Sequence, residues 1–141
     1  SDIRRQAAES LGEIDPGNQI AIEGLILLIR DPKDDILMRG QAARSLEKIG
    51  FGNQTAIEGL IVLIRNSQVD SLMRKEAAES LGKIMGERQM AYVVSILKNC
   101  LSYNTYENDY DLFSRCYRII WDYAKKMTYP QFYEAWFKSI S

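Results

Sequence analysis

The chain has 141 residues, enough for one domain with a real core, and 46% hydrophobic against 26% charged residues, an ordinary soluble balance. A net charge of −1, with 8 basic and 11 acidic residues in 1–70 and 10 and 8 in 71–141, excludes bulk attraction to nucleic acid or anionic membrane. With no histidine and only Cys100 and Cys116, the chain lacks the side chains for a zinc site or a His-based nucleophilic pair.

The chain repeats itself. Arg4 to Ile14 reads RRQAAESLGEI, Arg39 to Ile49 reads RGQAARSLEKI and Arg74 to Ile84 reads RKEAAESLGKI. Between them Asn18 to Arg30 reads NQIAIEGLILLIR and Asn53 to Arg65 reads NQTAIEGLIVLIR. The offset is 35 residues without a gap, and residues 1–35 share 20 identities with 36–70. A fixed period of this length is the mark of a repeat architecture.

Each period holds two predicted helices. In the first kind, at 3–14, 36–49 and 71–84, Ile3, Ala7, Leu11 and Ile14 form one apolar stripe, which Ala8 widens. In the second kind Ile22, Leu25, Ile26, Leu28 and Ile29 make a broader face. One hairpin cannot bury both, so hairpins must stack. Gly17-Asn18 and Gly52-Asn53 read as a left-handed stop followed by an N-cap. Asp31-Pro32 and Asn66-Ser67 end the second helices. Asp35 and Asp70 are expected to cap the helices that follow and to pair with Arg39 and Arg74 four residues on.

From Tyr92 onward lie 13 of the 14 aromatic residues. A third outer helix is expected over about Gln89 to Leu101, then a polar stretch from Tyr103 to Asp109. An amphipathic helix over Tyr110 to Met127 is expected to carry Phe113, Tyr117, Ile120, Trp121 and Ala124 on one side. Thr128-Tyr129-Pro130 breaks the chain before a last helix, Gln131 to Ile140, bearing Phe132, Tyr133, Trp136 and Phe137. The fold class expected is all-α: a solenoid of repeats over 1–101, ended by an aromatic-rich helical cap over 102–141.

The order of apolar helix, Asp turn and Arg-x-x-Ala-Ala-x-x-Leu-x-x-Ile helix resembles the HEAT repeat family over about residues 1–97. That resemblance implies an α-α superhelix, with the Arg-x-x-Ala-Ala helices on its concave face and a first helix whose partner is missing. The repeat wording together with Tyr106 to Asp109, Cys116 to Trp121 and Tyr129 to Trp136 is similar to the C-terminal region of cyanobacterial NACHT-domain proteins. Those resemble signal-transduction ATPases in which a nucleotide switch precedes a repeat sensor. The resemblance implies a non-catalytic scaffold or ligand sensor with a protein partner.

No chemistry is legible in the motifs. Gly82-Lys83-Ile84 lacks the upstream glycine and the hydroxyl of a phosphate loop. The clusters Asp31, Asp34, Asp35 and Glu107, Asp109, Asp111 lack the glycine of a calcium loop and read as caps and solvated turns. No catalytic residue, cofactor or metal is expected, and neither is a nucleic-acid or membrane partner; the two thiols read as reduced and buried in a cytoplasmic protein. Arg5, Arg44, Lys75 and Glu79 vary between copies of a constant scaffold. With Tyr133 and Trp136 they are the candidate partner-binding residues. The exposed stripe of Ile3, Ala7 and Leu11 is expected to favour self-association if its partner helix is absent. An alternative, a phycobilin lyase-like protein, fits the helical repeat but not its strict 35-residue period.

Overall fold

Helix boundaries in this chain are set by short polar side chains that satisfy the free N–H groups of a first turn. In the computed structural model, which describes residues 2–137, Asn18 Oδ1 accepts from Ala21 N at 3.0 Å and Asn53 Oδ1 from Ala56 N at 3.0 Å. Asp35 accepts from Met38 N at 2.8 Å and Asp70 from Met73 N at 3.3 Å. Gly17 and Gly52 hold φ of 83° and 70°, a region that glycine enters without penalty. These signals delimit α1 (Asp2–Ile14), α2 (Gln19–Arg30), α3 (Ile36–Ile49), α4 (Gln54–Arg65) and α5 (Ser71–Ile84). α3 and α5 match their expected spans, α1 starts one residue before the expected Ile3, and α2 and α4 lie between the expected caps and stops.

The helices fall into two compact units, Ser1–Met85 and Gly86–Ser141, and no strand occurs among the described residues. In the first unit α1, α3 and α5 pack in one row; α2 packs across α1 and α3, and α4 packs on α5 and beside α2 in a second row. This is the all-α, solenoid-like stacking that the period demands. Its core alternates small and large side chains: Ala42, Ala43, Ala77 and Ala78 let helices approach, and Ile22, Leu25, Ile29, Leu46, Ile57 and Leu60 fill the space. Each of these large side chains contributes roughly 1.5–3 kcal/mol before chain entropy is subtracted.

The second unit holds α6 (Met90–Leu97), flanked by single 3₁₀ turns at Glu87–Gln89 and Lys98–Cys100, then α7 (Tyr103–Asn108), α8 (Tyr110–Ala124) and α9 (Tyr129–Phe137). Within this unit α6 packs against α8 and α9. Thr128 and Gln131 close the start of α9 reciprocally, Thr128 Oγ1 accepting from Gln131 N at 3.3 Å and Gln131 Oε1 from Thr128 N at 3.0 Å. That box starts α9 two residues before the expected Gln131. The expected stretch from 138 to Ile140 lies outside the described residues.

One expected face is corrected. Leu112, Cys116, Ile120 and Tyr123 form the buried stripe of α8, whereas Tyr117 and Trp121 are more than half exposed. The expected stripe shares only Ile120 with the buried one. Both thiols, Cys100 and Cys116, are buried here.

Candidate partner-binding surface

The row α1, α3, α5 presents the residues that vary between repeats, and the polar contacts there run from helix to helix. Glu9 on α1 accepts from Ser45 Oγ at 2.5 Å and from Lys48 Nζ at 3.0 Å, both on α3. Glu47 on α3 accepts from Ser80 Oγ at 2.7 Å and pairs with Lys83 Nζ at 3.4 Å, both on α5. Ser45 and Ser80 share one repeat position, as do Lys48 and Lys83. The two glutamates do not: Glu47 stands where the first repeat has Gly12. Neighbouring helices thus use carboxylates from adjacent turns to meet the same Ser–Lys pair. The Ser45 hydrogen bond, and then the Lys48 bond, hold the Glu9 carboxyl below the usual glutamate range.

At the starts of α3 and α5 lies an arginine ladder. Arg39 is buried, its Nε donates to Ile29 O at 2.8 Å, and its Nη2 lies 2.8 Å from Asp70 Oδ1. Arg74 repeats the first bond, Nε to Ile64 O at 2.8 Å. Asp35 was expected to pair with Arg39, but the guanidinium instead turns away to the start of the next repeat. There it meets a carboxylate already fixed as a cap. The cap half of the expectation holds and the intra-helix pair does not.

Of the candidate residues, Arg5 is half-buried and engaged, bonding Asp2 at 2.9 Å, Glu9 at 3.1 Å and Ser45 Oγ at 3.2 Å. Arg44 is exposed. It has no hydrogen-bond or ion-pair partner among the described residues, and its Nη2 lies 3.5 Å from where a Cβ on Gly40 would sit. Gly40 occupies the repeat position of Arg5 and Lys75. Lys75 is half-buried and likewise without such a partner; Glu79, one turn further along α5, is half-buried and does interact. Arg5 and Arg44 line one shallow cleft of about 240 Å³ with Glu9, Gln41, Ser45 and Lys48. Sequence reasoning missed Ser45, Ser80 and their glutamates, although the serine is constant in all three copies.

Tyr133 and Trp136 lie on α9, in the other unit. Tyr133 is exposed between Tyr129 and Phe137, its ring 6.2 and 4.7 Å from theirs. Trp136 is half-buried and stacks on Phe132 at 5.8 Å, while its carbonyl accepts a bond from Lys98 Nζ. A longer aromatic run follows α7 and α8: Tyr106 meets Phe113 edge-on at 5.3 Å, and Phe113, Tyr117 and Trp121 stack at 6.4 Å per step. Among the described residues no group of three or more His, Cys, Asp or Glu side chains is placed to hold a metal ion, and no helix is long and apolar enough to cross a membrane.

Comparison with known proteins agrees with this architecture. Residues 109–137 match the family described as NACHT C-terminal Cysteine and Histidine-containing. Within that match Cys116 is the one cysteine, and the chain has no histidine at all, so the segment holds no Cys–His pair. No curated protein and no solved structure matches the chain. The HEAT repeats model matches residues 22–104, and by that match, over more than half its length, this chain belongs to the HEAT repeat family.

Proposed function

We propose that the chain is a non-catalytic, cytoplasmic protein-interaction scaffold, the sensor end of a NACHT-type signal-transduction ATPase, and that its protein partner lies against the row α1, α3, α5. The observation that carries this reading is Arg44. Around it Arg5, Lys48 and Lys83 are tied to carboxylates, whereas Arg44, on α3's exposed surface, has no hydrogen-bond or ion-pair partner among the described residues and lies over a bare glycine. An unpaired guanidinium offers a forked donor to a partner's carboxylate at little internal cost. Lys75, on the neighbouring helix, adds a second uncommitted charge. Tyr133 and Trp136 are proposed as a separate aromatic contact.

The test is recovery of bound proteins from cytosol by the wild-type chain, Arg44→Ala and Lys75→Ala, each identified by mass spectrometry. The reading expects a defined protein held by wild type and depleted from both variants. Equal recovery by all three removes the proposed face. A NACHT region encoded ahead of residue 1 supports the parent assignment; a short free-standing gene overturns it.

A further inference from the structure

We propose that the aromatic ridge of α7 and α8 is a docking surface for a proline-rich segment of a partner protein, held in the polyproline II conformation. The ridge is built from Tyr106 on α7 and from Tyr110, Phe113, Tyr117 and Trp121 on α8. Phe113 is half-buried, and each of the other four rings is about half exposed. Tyr106 stands edge-on to Tyr110 and to Phe113, 5.3 Å from each, while Phe113, Tyr117 and Trp121 lie within 15° of parallel at each step. Neighbouring rings thus fix one another before any ligand arrives, which lowers the ordering cost of binding. The core does not use these rings, because α8 buries a separate stripe of Leu112, Cys116, Ile120 and Tyr123.

Hydrogen-bonding chemistry selects the occupant. The hydroxyls of Tyr106, Tyr110 and Tyr117 and the indole N–H of Trp121 have no hydrogen-bond partner among the described residues. The ridge therefore offers ring faces with uncommitted donors at their edges. A proline-rich segment has the complementary parts: pyrrolidine rings that pack on aromatic faces, carbonyls with no internal partner, and few N–H groups of its own to satisfy. Length agrees as well. From Tyr110 to Trp121 α8 rises by about 16 Å, the span of about five residues of polyproline II at roughly 3.1 Å each. Other occupants fit less well. An added β-strand needs a free backbone edge, and an amphipathic helix needs a groove, whereas these rings project from a helix surface. Residues 103–126 carry four acidic and four basic side chains, so no local field draws a nucleic acid. The surface lies in the second unit and does not depend on the reading given to the row α1, α3, α5.

The test is a titration of the isotope-labelled full chain with decaproline, followed by NMR. The chain has two tryptophans, Trp121 and Trp136, and Trp121→Phe assigns their indole N–H signals. The Trp121 signal is expected to move and to saturate. Tyr117→Ala is expected to weaken the affinity about tenfold or more, as for a ring near the centre of an interface. Tyr117→Phe keeps the ring and its packing and removes only the donor. It is expected to weaken binding about two- to fivefold, the share of one hydrogen bond. Triproline, shorter than the ridge, is expected to bind about tenfold or more weakly than decaproline, since it covers fewer rings. A Gly-Ser decapeptide, flexible and without rings, is expected to leave the Trp121 signal in place. No movement of that signal with decaproline, an equal response to the Gly-Ser peptide, or full affinity in both Tyr117 variants overturns the proposal. A response to decathymidylate without one to decaproline also overturns it, and assigns the ridge to stacked bases instead.

Discussion

Arg39 and Asp70 are 31 residues apart and belong to successive repeats, yet Nη2 and Oδ1 lie 2.8 Å from each other. The arginine is buried and its Nε is spent on Ile29 O, so its position is fixed by the hairpin behind it. The aspartate is fixed by the helix in front, whose first turn it caps. One carboxylate therefore serves a helix start and an inter-repeat junction together. Asp70→Ala is expected to cost about 1–3 kcal/mol in urea unfolding, combining a lost cap with a buried guanidinium left without its counter-charge. Asp70→Asn keeps the cap and removes only the charge, so it is expected to recover about 1 kcal/mol of that loss. Equal midpoints for the two variants would show that the cap contributes nothing.

Gly24 and Gly59 occupy one repeat position in two environments. Gly24→Ala is expected to stabilise by up to about 1 kcal/mol through helix propensity, since no atom opposes the new methyl. At Gly59 the same methyl meets Ile26, and the propensity gain is offset by the shift forced on that side chain. Thermal melts should rank Gly24→Ala above Gly59→Ala, and the reverse order would displace Ile26 from its seat.

Leu60→Ala and Arg44→Ala make a second contrast. Leu60 is wholly buried, and its truncation is expected to cost about 2–5 kcal/mol. Arg44 is exposed, with no partner among the described residues, and its truncation is expected to cost under about 0.5 kcal/mol. Urea midpoints in the opposite order would exchange the assigned faces.

The repeat made much of this fold legible. Ala, Leu and Ile at constant positions marked the core, and Asn18, Asn53, Asp35 and Asp70 marked the starts of helices, because a cap is a local contact between neighbours in sequence. Contacts that cross between repeats were less visible. Arg39 has Asp35 one turn before it and Asp70 31 residues after it, and only the packing of α3 on α5 decides which it meets. On the candidate surface, variation between copies singled out Arg5, Arg44 and Lys75 alike; the Arg5–Glu9 pair lies four residues apart on one helix and is local, whereas the Arg5 bond to Ser45 crosses to α3 and is not. In α8 aromatic size misled the reading. Tyr117 and Trp121 follow helical spacing as well as Leu112 and Cys116 do, and large rings were given the core.

That exchange of faces on α8 is measurable. Leu112 is wholly buried, so Leu112→Ala is expected to cost about 2–5 kcal/mol, while Trp121→Ala, on a residue more than half exposed, is expected to cost about 1 kcal/mol or less. The Trp121 ring stacks on Tyr117 and lies 5.8 Å from Lys125 Nζ, so its indole fluorescence should remain open to iodide quenching in the wild-type chain. Protection from iodide, with a large loss on Trp121→Ala, would return the aromatic stripe to the core.

Glu9 gives the lattice of α1, α3 and α5 a pH dependence. Its carboxyl is held below the ordinary glutamate range by the Ser45 hydrogen bond first and by Lys48 next. For a group whose folded value is depressed, the stabilisation is present above the unfolded value and is lost as pH falls through the folded one. Melting temperatures of wild type and Glu9→Gln should therefore differ most near neutral pH and converge as the solution is acidified through and below the ordinary glutamate range. Ser45→Ala removes the largest of these bonds and should shift the convergence upward in pH, since Glu9 then titrates closer to its ordinary value. Parallel curves for wild type and Glu9→Gln across that range would mean that the carboxylate contributes no pH-dependent stability to the α1–α3 junction.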